Sequence, residues 1–295
     1  MKRTCLTSLT CCFFLVAGVR AEEKPVVKIG IPRSIFRDIP PALLTFANEP
    51  FKDLMKAQTG LDGDIVNDAD AMKIAKDIND GKLHLGVLLG HEFAWAKQKY
   101  PELEAIVCTV PRPREVQAFI LVRHDCKATN LGDLKGTKLV MASGLRDHAR
   151  LFFEKRKADE MGSETLCSLS KTSTVHDAIH KVIDGDGDVT VCDLASWNYF
   201  LKLYPGPAQN LRVLAKSEVF PPSVVVHKKG SIPEFVVKKF REGMLTAHQS
   251  PKGQKLMGTI KMERFDLLPA NYDEQLKESL KLYPLSAQER AMIDK

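Results

Sequence analysis

Residues 68–89, DADAMKIAKDINDGKLHLGVLL, decide the fold class of this 295-residue chain. Apolar side chains spaced three and four residues apart predict an amphipathic helix over 71–78, with Asp68 as its N-cap and an Asn-Asp-Gly turn at its end. The continuous apolar run 83–89 is typical of a strand that is buried on both faces of a parallel sheet. A helix that leads directly into such a strand indicates an α/β protein with a doubly wound parallel sheet.

The same alternation of strand and helix continues on both sides of this segment. Apolar patterns predict strands over residues 26–31, 105–110, 118–122, 138–142, 165–170, 189–192 and 223–226. They predict helices over residues 43–58, 93–100, 146–159, 175–183, 195–204, 233–249 and 251–259, and a final helix from Tyr272. Because the second half of the chain replays the order of the first half, we expect two α/β units of similar architecture.

The first 21 residues have the pattern of a secretory signal peptide. Lys2 and Arg3 precede an apolar stretch over 6–19, which is too short to span about 30 Å of hydrocarbon. Small residues at 19 and 21 suit cleavage before Glu22, which predicts a periplasmic or otherwise extracytoplasmic protein. Lipid anchoring at Cys12, with residues 9–12 as a lipobox, is the alternative; the apolar run continues past Cys12, which argues against it.

Cleavage would change both the charge and the cysteine count. The formal net charge would fall from +6 to +3, because residues 1–21 hold three basic residues and no acidic one. Bulk charge therefore argues for no particular partner. The remaining cysteines would be Cys108, Cys126, Cys167 and Cys192, and both disulfide pairing and free buried thiols stay open for them.

Two further motifs indicate no additional function. Residues 184–188, DGDGD, begin like a calcium-binding loop, but the twelfth position is Ala195 rather than glutamate, so we expect a tight turn and no metal site. Basic clusters at 155–157, 228–229 and 238–239 lack interleaved aromatic residues and are typical of a solvated surface. We therefore expect no metal, no cofactor and no nucleic-acid partner.

Several segments, in this order and at this spacing, together resemble one family. They are residues 28–32, 68–90, 121–123, 130–136, 173–178, Asp193, 221–226 and 266–270. The chain resembles, from about residue 26 to 283, the phosphate-, phosphite- and phosphonate-binding proteins of ABC importers. These are periplasmic solute-binding proteins of type II.

The resemblance implies two doubly wound α/β lobes that close on one ligand. Lobe 1 would comprise residues 22–117 and 224–295, and lobe 2 residues 118–223, with 118–122 and 223–226 as hinge strands. It also implies a monomer without enzymatic activity that captures a small oxyanion and delivers it to an ABC permease in the inner membrane. A ligand-sensing protein that serves a signalling receptor, or an enzyme on the same fold, is the alternative function.

The ends of the predicted strands mark the candidate site. In open α/β sheets, ligands bind beyond the carboxyl ends of strands, where the N–H groups and dipoles of helix N-termini favour an oxyanion. The candidate ligand-binding residues at these ends are Ser34, Phe36, His91, Ser143, Gly144, Arg146, Thr174, His176 and Asp193.

Some of these candidates have a role that the resemblance implies, and others have two possible roles. By resemblance, His176 and Asp193 occupy positions that contact ligand in phosphonate-binding proteins, where Asp193 could accept a ligand proton or bind an amine. Ser143 could cap the following helix or bind ligand. Arg146, where the family usually has a hydroxyl-rich run, could bind an oxyanion or be solvated. Thr174 also fits a capping box with Asp177.

Overall fold

The computed structural model describes residues 26–36, 41–67, 70–162 and 168–285, with the backbone alone for 36 and 41–47. The predicted signal peptide, the lipobox, Asp68 and Cys167 lie outside the described residues. In chain order, the strands are β1 (Val26–Gly30), β2 (Asp62–Val66), β3 (Leu85–Leu88), β4 (Leu103–Pro111), β5 (Ala118–Arg123), β6 (Lys138–Ala142), β7 (Ser168–Thr172), β8 (Val189–Asp193), β9 (Leu211–Lys216), β10 (Val224–Lys228) and β11 (Met262–Asp266).

The helices alternate with these strands along most of the chain. They are α1 (Pro41–Thr59), α2 (Ala71–Asn79), α3 (Gly90–Lys99), α4 (Asp147–Met161), α5 (Val175–Ile183), α6 (Leu194–Leu203), α7 (Pro205–Ala208), α8 (Glu234–Thr246), α9 (Pro251–Thr259) and α10 (Tyr272–Leu282). Short 3-10 turns cover Arg33–Phe36, Leu131–Leu134 and Ala247–Gln249. The N-cap of α2 is Asp70, whose carboxylate accepts a hydrogen bond from the Lys73 N–H.

The strands form two separate sheets, which confirms the predicted α/β class. The first sheet has the order β11-β4-β10-β3-β1-β2, and the second has the order β7-β6-β8-β5-β9. The strands β1, β2 and β3 are parallel to one another, and so are β6, β7 and β8. In the first sheet β10 runs antiparallel to β3 and β4, and β11 runs antiparallel to β4. In the second sheet β5 runs antiparallel to β8 and β9. Both sheets are therefore mixed, and β5 and β10 are the strands that enter a sheet directly from the other sheet.

Central strands are buried on both faces, as the continuous apolar runs predict. In β5, the alternate residues Ala118, Ile120 and Val122 pack on the side of α4, and Phe119 and Leu121 pack on the side of α5 and α6. In β10, Val225 faces α1, α8 and α9, whereas Val224 and Val226 face α2, α3 and α10. Each sheet is therefore a layer between two layers of helices.

Three strands have no counterpart in the sequence analysis: β2, β9 and β11. Each lies at the edge of its sheet and has a single partner strand. Their sequences, DGDIV, LRVLAK and MERFD, carry charged residues because an edge strand is exposed and must not pair with other chains. A search for continuous apolar runs therefore passes over them.

Two chain segments cross between the sheets: residues 112–117, which join β4 to β5, and residues 217–223, which join β9 to β10. They pair with each other through an antiparallel bridge between Val116 and Phe220. The Gln117 side-chain amide donates to the Ser217 carbonyl oxygen over 3.1 Å, and the Ala118 N–H donates to the Ser217 hydroxyl over 2.9 Å. We call these residues the crossing segments.

Candidate functional site

A pocket lies between the two sheets, beside the crossing segments. It is lined by residues 111–113, 115–117, 146, 148, 193–195 and 261. These residues come from the first crossing segment, from the N-termini of α4 and α6, and from the turn before β11. We call it the inter-sheet pocket. It has a free volume of about 30 Å³, which is room for no more than a few water molecules.

Asp193 forms one wall of the inter-sheet pocket. It ends β8 and is the N-cap of α6, where its carboxylate accepts hydrogen bonds from the Ser196 N–H over 2.8 Å and from the Ser196 hydroxyl over 3.0 Å. The residue is 4% exposed. The Nε atom of Arg146 lies 3.8 Å from Asp193 Oδ2, so a cation stands beside this buried carboxylate. Sequence reasoning found both residues, and the structure brings them together.

The N-terminus of α4 opens onto the same pocket. Its N-cap residue is Arg146, which makes no capping hydrogen bond with its side chain among the described residues. Of the two roles considered for Ser143, capping this helix or binding ligand, the capping role is therefore wrong. Ser143 is three residues too early, because the turn over 143–146 continues the chain before α4 begins. The N–H groups of a first helical turn and the positive end of the helix dipole favour an anion, so the position of this helix start at the pocket suits an anionic ligand.

Ser143 and Gly144 lie in that turn, away from the inter-sheet pocket. The Ser143 N–H donates to the Thr172 carbonyl oxygen over 2.9 Å, which continues the pairing of β6 with β7. Ser143 lines a different pocket of about 220 Å³ at this sheet edge, together with Arg150 and Lys171.

His148 is a pocket residue that the sequence analysis missed. It is the second residue of α4 and is 5% exposed, and its Nε2 atom is buried without a hydrogen-bond partner among the described residues. Burial lowers its pKa to about 4; Asp193 and a hydrogen bond with the Gln117 backbone oppose this shift, and Arg146 adds to it. His148 is therefore uncharged at neutral pH. The rule that selected Arg146, a polar residue at a helix start after a strand, could also have selected it.

His91 belongs to an aromatic cluster beside the pocket. It lies at the start of α3, is 2% exposed, and packs edge-on against Trp95 and Phe220 at ring distances of 5.0 and 5.9 Å. Phe220 also packs against His148 at 5.5 Å. Burial lowers the pKa of His91 to about 3, with smaller contributions from the charges of His148 and Arg150. An aromatic side chain of the second crossing segment thus separates two uncharged histidines.

Thr174 and His176, at the start of α5, do not line the inter-sheet pocket. Thr174 and Asp177 form a capping box, since the Thr174 hydroxyl accepts from the Asp177 N–H over 3.1 Å and the Asp177 carboxylate accepts from the Thr174 N–H over 3.2 Å. His176 stacks on Tyr199 at 5.1 Å, and burial is the main cause that lowers its pKa.

In the first sheet, Ser34 and Phe36 lie in the turn that follows β1. The Ser34 hydroxyl is buried and has no partner within the described part of the chain.

Two further cations line the pocket: Arg112 and Lys261. Lys261 has a φ angle of +55°, in the left-handed region that is uncommon for residues other than glycine. Its carbonyl oxygen accepts from the Arg112 N–H over 3.0 Å, which ties the turn before β11 to the first crossing segment. Strained backbone at a pocket is a feature of functional sites. With Arg146, these residues give the pocket three cations against the carboxylates of Glu115 and Asp193.

Other chemistry is not indicated by the described residues. Among them, no group of three or more His, Cys, Asp or Glu side chains is arranged to hold a metal ion. Cys108, Cys126 and Cys192 have free thiols. Within the same residues, no helix combines the length and apolar character needed to cross a membrane.

Comparison with known proteins agrees with this architecture. The sequence model of a family described as "ABC transporter, phosphonate, periplasmic substrate-binding protein" matches residues 35–272. No curated protein matches the chain by sequence.

Three solved structures are similar to the chain over most of its length. A binding-protein component of an ABC phosphonate transporter from Pseudomonas aeruginosa has a TM-score of 0.60 at 16% identity, and the alignment covers 92% of this chain and 94% of that one. PhnD1 from Prochlorococcus marinus, in complex with methylphosphonate, has a TM-score of 0.62 at 14% identity, with 87% and 97% covered. XAC2383 from Xanthomonas citri, bound to ATP, has a TM-score of 0.63 at 16% identity, with 90% and 98% covered. At this low identity the likeness establishes the fold alone.

Proposed function

Because the chain belongs to the periplasmic substrate-binding proteins of phosphonate ABC transporters, we propose that it captures a phosphonate, or a similarly small phosphorus oxyanion, in the inter-sheet pocket. The observation that carries the proposal is the start of α4, where Arg146 and His148 line the pocket. The N–H groups and positive dipole end of such a helix stabilise an oxyanion.

The charges around the pocket support the same ligand class. Arg112, Arg146 and Lys261 supply three cations, and a guanidinium group binds two oxygens of a phosphoryl or phosphonyl group at once. Asp193 supplies an acceptor for a ligand oxygen that carries a proton, or for the amine of an aminoalkylphosphonate. A tetrahedral oxyanion with both acceptor and donor groups fits this set better than a carboxylate, which at neutral pH offers acceptors alone.

The size of the pocket supports a hinge motion on binding. A phosphonate head group is larger than the free space of about 30 Å³. We therefore propose that the two sheets, as lobes with the boundaries given above, rotate about the crossing segments to admit the ligand and close again over it. The crossing segments suit this role because they are the short connections between two separately packed cores.

The remaining expectations extend the family assignment. Proteins of this family bind a small molecule outside the cytoplasm for a membrane permease. We propose for this chain cleavage of the predicted signal peptide, a monomeric state, ligand delivery to a permease in the inner membrane, and no turnover of the ligand. Arg146 and Asp193 are proposed as ligand-binding residues together with Arg112, His148 and Lys261, whereas Ser34, Phe36, His91, Ser143, Gly144, Thr174 and His176 stay predictions.

Calorimetric titration with methylphosphonate, phosphate, phosphite, sulfate and acetate tests the proposal. We expect binding of at least one phosphorus oxyanion, and a loss of about tenfold to hundredfold in its affinity for Arg146→Ala, because a charge-assisted hydrogen bond contributes about 1.5–3 kcal/mol. Arg123→Ala is the matched control, since Arg123 is as exposed as Arg146 and pairs with Asp125 away from the pocket. A folded protein that binds none of the phosphorus oxyanions would contradict the proposal.

A further inference from the structure

The ring of His148 has one nitrogen, Nε2, that is buried and has no hydrogen-bond partner among the described residues. His148 is only 5% exposed, and it lines the inter-sheet pocket. A hydrogen bond with the Gln117 backbone raises the pKa of His148. This is the direction expected when the ring donates to a carbonyl oxygen, and we assign that donor to the other ring nitrogen, Nδ1. An imidazole that donates from Nδ1 and is uncharged keeps a lone pair on Nε2, so this atom accepts and does not donate.

We propose that His148 Nε2 accepts a hydrogen bond from the ligand, so that the pocket prefers oxyanions that carry a proton. This inference rests on the proposed function. The preferred class is the monoanion of a phosphonate, phosphite or phosphate, which retains a P–OH group. Sulfonates and sulfate have the same tetrahedral shape but carry no proton at neutral pH. His148 thereby becomes a specificity-determining residue of the pocket.

A second lining residue of the pocket, Asp193, reinforces this preference. Asp193 accepts two hydrogen bonds from Ser196, and a carboxylate has about four acceptor positions, so it too retains lone pairs. A ligand whose oxygens are all acceptors would place lone pairs against those of Nε2 and Asp193. Leaving a buried acceptor unpaired in this way lowers affinity about tenfold to hundredfold.

The competing possibility is that His148 gains a proton when the ligand binds and then donates to it. Burial is the main obstacle to that state, since it lowers the pKa of His148, and the positive charge of Arg146 adds to it, whereas Asp193 and the Gln117 backbone favour a proton on the ring. In that case the pocket would bind sulfonates and phosphonates alike, since a charged histidine donates to either. The two possibilities therefore differ in a measurable selectivity.

The experiment compares methylphosphonate with methanesulfonate, two ligands of nearly equal size, by calorimetry below the second pKa of methylphosphonate. We expect the wild-type protein to prefer methylphosphonate at least tenfold. His148→Leu removes the acceptor, so methylphosphonate affinity falls about tenfold while methanesulfonate affinity does not fall. His148→Gln, whose amide oxygen can accept, recovers part of the preference.

His227→Leu is the matched control. His227 is also buried, at 6% exposure, and also has an unpartnered ring nitrogen among the described residues, but it lies on β10 and does not line the pocket. We expect it to leave both affinities unchanged. A parallel fall of both affinities in His148→Leu would show that His148 merely supports the pocket, and would overturn the inference.

Two measurements on the wild-type protein decide the inference even if His148→Leu does not fold. Equal affinity for the two ligands would overturn it while leaving the proposed function intact. Absence of binding to methylphosphonate, phosphate and phosphite by folded protein would overturn both. The ¹⁵N shifts of His148 with methylphosphonate bound should report an uncharged ring protonated at Nδ1; a doubly protonated ring would contradict the inference.

Discussion

The helices α4 and α5 begin in the same way and end up in different environments. Each follows a strand of the parallel half of the second sheet, β6 or β7. The start of α5 is closed by its own capping box, formed by Thr174 and Asp177 on the surface. The start of α4 is buried beside the crossing segments, and its N-cap, Arg146, makes no side-chain capping bond among the described residues. The start of α5 is thus closed by its own side chains on the surface, whereas the start of α4 lies at the inter-sheet pocket.

The largest expected effect is a loss of stability at acidic pH, and it comes from the two buried histidines near the start of α4. His91 and His148 have pKa values lowered to about 3 and about 4, so they are uncharged when folded but take up protons when unfolded below about pH 6.5. Stability is therefore fully present above that pH and is lost as the pH falls. At about pH 5.5 the two residues together should lower the free energy of unfolding by about 3 kcal/mol.

Urea unfolding of the wild type and of His91→Phe measures this effect. Phenylalanine keeps a ring against Trp95 and Phe220 but cannot take up a proton. We expect the loss of stability between about pH 7 and pH 5.5 to shrink by about half in the variant. An unchanged loss would mean that His91 is not responsible for it.

The next effect concerns the contact between α3 and the second crossing segment. Gly90 is the first residue of α3, and a Cβ atom there would lie 2.1 Å from the Pro221 carbonyl oxygen. Gly90→Ala should therefore push α3 away from the crossing segment and lower the free energy of unfolding by about 1–3 kcal/mol. Chemical denaturation checks this. Gly258→Ala is the control, because no atom lies within 4 Å of its Cβ position, and it should show no loss.

The smallest effect is expected at the self-capped helix. Thr174→Ala removes the hydroxyl that caps α5, so the free energy of unfolding should fall by about 1 kcal/mol. A ligand in the inter-sheet pocket should keep its wild-type affinity, because Thr174 does not line that pocket, whereas the prediction that Thr174 binds ligand requires a loss. Thermal unfolding and calorimetry on the same sample measure both quantities. A loss of affinity without a loss of stability would place the ligand at α5 and reverse the comparison with α4.

Most of the fold could be predicted because its signals are local. The strands β3, β5, β8 and β10 are mostly apolar, and this pattern is visible in the sequence because both faces of a central strand are buried. The edge strands β2, β9 and β11 could not be found in the same way, since one edge of each faces solvent and tolerates charge. The sequence analysis placed the N-cap of α2 at Asp68, two residues before the observed N-cap, because aspartates occupy both 68 and 70.

The pocket could be predicted in part. Arg146 and Asp193 lie directly after strands, so a local rule finds them. Arg112 and Lys261 follow no such rule, because a crossing segment and a turn before an edge strand bring them to the pocket. His148 lies at a helix start and so satisfies the same rule, but the sequence analysis did not select it. Its burial depends on tertiary packing and cannot be seen in the sequence.

The sequence by itself determined the alternation of strands and helices, the two buried sheets and the family, because periodicity and strand-end motifs are properties of neighbouring residues. Only the tertiary structure decided which helix start opens onto a pocket and which side chains meet there. Phe220 of the second crossing segment packs against both His91 and His148, and both histidines are buried. Burial removes the water that would stabilise a charged imidazole, so the state of His148, and with it the acceptor it presents, depends on packing between distant parts of the chain.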